Sequence, residues 1–283
     1  MYEWKSHLAE NGPLRVRRQP WVCLRLVSLL GLLLLSGCGN NSPAEGQTLT
    51  IFAAASLTEA FTELATTFER EAGRVDVQLN FAGSQQLAQQ LAQGAPADLF
   101  ASADKQQMEV AIAAGRIAAE APRQFAGNRM VIVVPSGNPA AIESLADLAR
   151  PGVKLVLAGE TVPAGRYARQ VLEQATADPA FGPAFRQETL ANVVSHEQNV
   201  RAVLTKVALG EADAGMVYAS DVAGQGVMVI EIPDAFNIRG SYLIAPVAGS
   251  AQRALARAFV NFTLSPQGQE ILAGYGLQPV VEQ

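Results

Sequence analysis

The chain is poor in the residues that most often carry chemistry. Among 283 residues there are two cysteines, two histidines and two tryptophans. Two cysteines cannot build a disulfide framework or a thiolate metal cluster, and two histidines leave little for an imidazole metal site. Positive charge is scarce too. The 21 Lys and Arg residues are outnumbered by 26 Asp and Glu, a formal net charge of −5. No broad basic surface follows, and nucleic acid is not expected as a partner. Also missing are a GxxxxGK phosphate loop, a GxGxxG after a strand, HExxH, a GxSxG elbow and an EF-hand string. Ser195 and His196 stand side by side, but that pair lacks the spatially separate members of a hydrolytic triad and reads as a surface loop. What the chain has is apolar surface: 49% of it is hydrophobic, enough for a sizeable core. Its length suits one large domain or two lobes.

The apolar residues are unevenly spread. Arg15, Arg17 and Arg18 precede an apolar run over residues 21–35, and the uncharged stretch 26–37 is 12 residues long. A membrane-spanning helix takes about 20. A basic flank, a short apolar core and small residues before a cleavage point make a secretory signal. Its ending, Leu35-Ser36-Gly37-Cys38, resembles a bacterial lipobox, which implies that Cys38 is acylated and becomes the new N-terminus. The plainer alternative is an ordinary signal peptide with an incidental cysteine. Acyl chains contribute about 0.8 kcal/mol per buried methylene, so a lipid-anchored protein outside the cytoplasm is expected.

Removing residues 1–37 takes away five of the 21 basic groups (Lys5, Arg15, Arg17, Arg18, Arg25) and two of the 26 acidic ones (Glu3, Glu10), leaving a net −8. Trp4, Trp21 and Cys23 leave with them, and His196 becomes the sole imidazole. Thiol and His-metal chemistry are thereby excluded. Residues 38–47, polar with Pro and Gly, read as the lipidated cysteine and a flexible tether.

Beyond the tether, strand and helix patterns alternate. Strands are expected over 48–53, 75–81, 97–101, 130–134, 154–158, 193–195, 214–218, 227–230 and 242–245. Helices are expected between them: Leu57, Ala60, Phe61, Leu64 and Phe68 share one helical face, Pro163 opens another helix, and a long terminal helix carries Leu255, Phe259 and Phe262 inward. This order predicts an α/β fold with largely parallel sheets, and about nine strands suit two small sheets better than one. In such sheets ligands sit beyond the carboxyl ends of strands, at helix N-termini.

Four strand-to-helix loops share a chemistry of small residues and free N–H groups. They lie at Ser56, at Gly83-Ser84, at Pro163-Ala164-Gly165 and at Asn199-Val200. Ser56 and Glu59 have capping-box spacing, and ordinary N-capping accounts for Ser56 and Ser84 taken singly. Four such loops in one chain, with no catalytic signature beside them, point to an anion site.

Five segments then resemble, in order from about residue 48 to residue 277, the extracytoplasmic molybdate-binding proteins of ABC transporters. They are IFAAASLT ending at Thr58, GAPADLFASAD ending at Asp104, VPAG ending at Gly165, GMVYASD ending at Asp221, and the closing SPQG with Tyr275-Gly276. The resemblance implies a type II periplasmic-binding-protein fold, two α/β lobes with a ligand cleft between them. Lobe one would span residues 48–127 plus 237–283, and lobe two 128–236. It implies high-affinity binding of molybdate, and of tungstate, for delivery to an ABC permease by a monomer. No cofactor and no catalytic residue are expected. Carried over position by position, the oxyanion contacts fall at Ser56, Ser84, Ala164, Val200 and Tyr218, with molybdenum held as its oxyanion and no direct protein–metal ligand. The chain departs from many relatives in reading Gly83-Ser84-Gln85 where they carry a run of serines.

None of these contacts is Lys or Arg. Charge-assisted hydrogen bonds contribute about 1.5–3 kcal/mol each, and partly buried helix N-termini up to about 2 kcal/mol. Donors alone favour a fully deprotonated anion, because a protonated phosphate needs an acceptor for its hydrogen. On the residues alone, a carrier of sulfate, phosphate or another oxyanion uses the same physics. An enzyme on this fold would need a paired acid, base or nucleophile, which the five segments do not offer.

Overall fold

A computed structural model describes residues 46–280; the signal segment, Cys38 and the tether to residue 45 lie outside them. Gln47, expected at the end of the tether, already belongs to a strand, its N–H donating to the Arg74 carbonyl at 2.9 Å.

The first half of the chain alternates β1 (Gln47–Ala54), α1 (Thr58–Ala72), β2 (Val75–Ala82), α2 (Ser84–Ala92), β3 (Leu99–Ser102) and α3 (Lys105–Ala113). Strand β1 is buried on both faces over its second half because helices cover it on either side. Strand β2 lies at the sheet edge and alternates half-buried and exposed residues. Then come β4 (Arg123–Pro135), β5 (Leu155–Ala158), α4 (Pro163–Thr176), α5 (Phe185–Ala191), β6 (Val193–Glu197), α6 (Val200–Ala208) and β7 (Ala214–Tyr218). The chain ends with β8 (Val227–Glu231), β9 (Arg239–Pro246), α7 (Arg253–Leu264), α8 (Pro266–Gly274) and β10 (Gln278–Pro279).

The strands run β2-β1-β3-β9-β4-β7-β5-β6, with β8 and β10 also paired to β4. They form two sheets that meet in β4. Its first part, Arg123–Arg129, pairs with β9, and its second part, from Met130, pairs with β7 and β8. The expected strand at 130–134 is therefore only the second part of a 13-residue strand. The return crossing, between β8 and β9, is tied to the same place. Asn237 Oδ1 accepts from the Met130 N–H at 3.0 Å, and its Nδ2 donates to the Met130 carbonyl at 2.9 Å.

The expectation of largely parallel sheets holds only around β1 and β5. Four pairings are parallel (β1 with β2 and β3, β5 with β6 and β7), and the other five, four of them made by β4, are antiparallel. The cause is the double crossing, which brings β4 into both sheets and β9 into the first against the local direction. The single terminal helix is likewise two helices: Ser265 accepts from the Gly268 N–H at its break, and Pro266 opens α8. Helix α5 and strand β10, too short for a periodic signal, were not anticipated from the pattern.

A line of rings links the two sheets through the core. Phe68, Phe259, Phe61, Phe125, Tyr242, Tyr218 and Tyr167 follow one another at centroid spacings of 5.2, 6.1, 5.6, 6.1, 5.7 and 6.2 Å. These are ordinary aromatic contact distances, each worth about 0.5–1.5 kcal/mol beyond area burial. The contact between Tyr242 on β9 and Tyr218 on β7 is where this line passes from one sheet to the other.

Helix α4 docks its first turn directly on the end of β5. A Cβ on Gly165 would overlap the carbonyl oxygens of Ala158 and Gly159. Gly165→Ala is therefore expected to destabilise the protein by about 1–3 kcal/mol, read as a lowered urea midpoint.

Candidate functional site

Ser56, Ser84, Ala164, Val200 and Tyr218 come together around one small, tight cavity. Each is at least 95% buried. Loops of the β2-β1-β3 sheet bring Ser56 and Ser84. The other three come from the β7-β5-β6 sheet: Ala164 from the first turn of α4, Val200 from that of α6, and Tyr218 from the end of β7. A larger, open groove elsewhere has Glu120, Arg123, Arg253 and Arg257 on its wall, but these side chains are solvent-exposed.

The local architecture differs from simple capping. Ser56 sits in a 3₁₀ turn over Ala55–Leu57, and α1 starts one turn later with Leu57 at its N-cap and no side-chain cap. The Ser56–Glu59 capping box does not form, because the Ser56 hydroxyl is 2.8 Å from the Tyr242 hydroxyl instead. Ser84 is the first residue of α2 rather than its cap, and its Oγ accepts from the Ala103 N–H at 3.0 Å. Asn199, not Val200, caps α6, its side chain accepting from the Ala202 N–H. Pro163 opens α4 as expected. The N–H groups of a helix's first turn have no intrahelical acceptor, so Ser84, Ala164 and Val200 bring backbone donors to the cavity as well.

Among the described residues, no lining side chain is charged. Two arginines stand close by, each tied to carboxylates. Arg166, one turn into α4, forms an ion pair with Asp104, the N-cap of α3. Arg201, next to Val200, forms an ion pair with Glu59 and brings its Nε within 3.4 Å of Asp221 Oδ1. Its Nε also donates to the Ala55 carbonyl at 3.5 Å. Gln85 donates to the Gln198 carbonyl at 2.8 Å, Gln86 to the Gln198 side chain at 3.1 Å, and Gln107 to the Thr161 carbonyl at 3.3 Å. Apart from the Arg201–Asp221 contact, these join loops of one sheet to loops of the other, ringing the cavity. The approach is close enough that a Cβ on Gly83 would lie 2.7 Å from the Gln198 carbonyl oxygen.

Among the described residues the Tyr218 hydroxyl has no hydrogen-bond partner, and it is fully buried. Burial pushes its pKa well above the usual phenol value, so it keeps its proton and is a donor. A buried unpaired donor costs about 1–3 kcal/mol, which an acceptor in the cavity would remove. Ser195 and His196 form no catalytic pair: Ser195 bonds Glu197 and Lys206, and His196 is exposed.

Sequence reasoning missed Asn128, Tyr242, Arg166 and Arg201 at this site. Asp104 and Asp221 each close a segment that carried the family resemblance, yet their arginine partners lie 62 residues downstream and 20 upstream, a pairing no local pattern reveals.

A family model of bacterial extracellular solute-binding proteins matches residues 49–278. The chain belongs to that family. The molybdate-binding protein ModA of Mycobacterium bovis is 41% identical to it over 264 residues, 89% of this chain and 96% of the relative. Two solved structures share its fold. The sulfate-binding protein SubI of Mycobacterium tuberculosis matches with a TM-score of 0.75 at 22% identity, covering 83% of this chain and 87% of its own. The periplasmic molybdate-binding protein of Azotobacter vinelandii matches with a TM-score of 0.70 at 19% identity, over 83% of this chain and all of its own. The fold is that of the periplasmic binding proteins.

Asp221 generates a pH prediction. Burial raises its pKa to about 7, against the pull of Arg201. The folded state therefore holds this proton more tightly than the unfolded chain, and the associated stability is present at low pH and lost as pH rises through 7. Asp221→Asn, which cannot ionise, should gain in unfolding free energy relative to the unsubstituted protein between pH 5 and pH 8, by up to about 3 kcal/mol. Urea denaturation across that range, without ligand, measures it.

Proposed function

We propose that this protein captures molybdate, and tungstate, outside the cytoplasmic membrane and delivers it to an ABC permease as a monomeric carrier without chemistry of its own. The observation that carries the reading is a buried cavity lined by neutral donors drawn from both sheets, one of them the unpaired Tyr218 hydroxyl. The 41% identity to a molybdate-binding protein supports the choice of anion. Ser56 and Ser84 would bind with hydroxyl and backbone N–H groups, Ala164 and Val200 with backbone N–H, and Tyr218 with its phenol.

The lobes, residues 48–127 plus 237–283 and 128–236, would close over the anion because each holds part of the donor set. Only the ligand completes both. Cys38 would carry the lipid that holds the carrier at the membrane, with residues 38–46 as its leash.

Calorimetric titration of residues 38–283 with molybdate, tungstate, sulfate and phosphate tests this. Molybdate and tungstate should bind at nanomolar to micromolar concentration; clear sulfate or phosphate heat without molybdate heat would overturn the choice of anion. Ser56→Ala and Tyr218→Phe should each weaken molybdate by about 1–3 kcal/mol while leaving the ligand-free fold intact by thermal unfolding.

A further inference from the structure

The hydroxyl of Ser56 can either donate or accept, and its direction decides what it offers the cavity. The network behind it fixes that direction. Asn128, fully buried on β4, receives the Arg129 N–H on its Oδ1 at 3.0 Å. A backbone N–H only donates, so the amide oxygen faces Arg129 and the NH₂ group faces the other way. That group donates to Ser220 Oγ at 2.7 Å and to the Tyr242 hydroxyl at 3.3 Å. The Tyr242 oxygen thus already accepts. Its single hydrogen needs an acceptor, and its other neighbour, Ser56 Oγ, lies at 2.8 Å to take it. Burial pushes the Tyr242 pKa well up, so that hydrogen stays on the phenol. With Ser56 Oγ accepting from behind, its own hydrogen is left for the cavity. Ser84 meets the same condition more simply, its Oγ occupied by the Ala103 N–H.

We propose that Asn128 and Tyr242 are positioning residues that turn the Ser56 hydroxyl proton into the cavity and make this wall of the site a donor only. The relay runs along the first sheet beside its junction with the second, from β4 to β9 to the turn after β1. It deepens the reading given above and rests on it: the ligand it selects is an oxyanion with no hydrogen of its own on that side. Neither residue touches the ligand, and both act through Ser56.

A double-mutant cycle tests the relay, with molybdate as the probe and calorimetry as the readout. Tyr242→Phe keeps the ring in its place among the core aromatics and removes the hydroxyl alone. In the otherwise unsubstituted protein it should weaken molybdate about five- to tenfold; in a Ser56→Ala background its further effect should fall below about twofold. A merely structural role for Tyr242 would give the same loss in both backgrounds, and that result, or no loss in either, overturns the relay. Thermal unfolding of the ligand-free variants checks that each is folded. Should Tyr242→Phe not fold, Asn128→Ala, which leaves the phenol in place but removes its orienting donor, carries the same cycle with the same expectation. Absence of molybdate binding by the unsubstituted protein would overturn the proposed ligand and the relay together, whereas binding with background-independent losses overturns the relay alone.

Discussion

Buried donors need acceptors, and around the cavity the protein supplies too few of them. Among the described residues the Tyr218 phenol has no hydrogen-bond partner, and helices α2, α4 and α6 all open there with first-turn N–H groups that the helices cannot satisfy. Each unmet donor costs about 1–3 kcal/mol, a large fraction of the few kcal/mol by which a domain is stable. The remedy is an acceptor that presents several oxygens at once to groups converging from both sheets. Much else in the structure follows from holding those groups in place: strands that end together, helices that begin together, and glycines at 83 and 165 that let backbones approach where no side chain fits.

The nearby cations obey the same economy of charge. Arg166 and Arg201 stand at the mouths of the two helices on one side of the cavity, yet each is paired with carboxylates from the opposing loops, Asp104 and Glu59. Their charge is spent on joining the two sides rather than on the ligand. The joining contacts ring the cavity, while at its base β4 and the β8–β9 crossing run side by side, pinned by Asn237 on the Met130 peptide. Rim contacts can break and re-form as loops separate. The base, where Tyr218 packs on Tyr242 at 5.7 Å, is continuous core.

The sequence was informative about this site to the degree that its parts are local. Strand ends with small residues and a proline at a helix start have short-range causes, so the loops at 56, 84, 164 and 200 could be singled out, and the family resemblance added Tyr218. What those residues do locally was not readable. Ser56 looked like a cap because Glu59 follows at the right spacing, but Tyr242, 186 residues away, takes its hydroxyl instead. Likewise β4 read as a five-residue strand because only its fully buried half has an unbroken apolar run; Arg123–Arg129 mixes exposed and buried residues with a bulge between Gln124 and Ala126. The parallel bias failed for a related reason. Alternating elements imply parallel neighbours only while the chain stays in one sheet, and here it crosses twice.

The anion site proposed for an acidic chain is then less paradoxical than its composition suggests. Residues 38–283 carry a net −8, but exposed charges are screened beyond about 8 Å at physiological ionic strength. Inside the cavity the field is set by fixed dipoles at contact distance, where low polarity strengthens every donor. Global repulsion can slow the approach of an anion while leaving the bound state almost untouched, since affinity and association rate draw on different parts of the charge distribution. Neutral donors have a second consequence. A lysine or arginine in the cavity would attract any anion of suitable size. Backbone N–H groups, which have no acceptor side, and a hydroxyl whose oxygen the scaffold already occupies, as at Ser84, bind only where the incoming group turns lone pairs towards them. Selectivity for a fully deprotonated oxyanion is thus a property of how the hydrogens are aimed, and that aim is set by residues the ligand never touches.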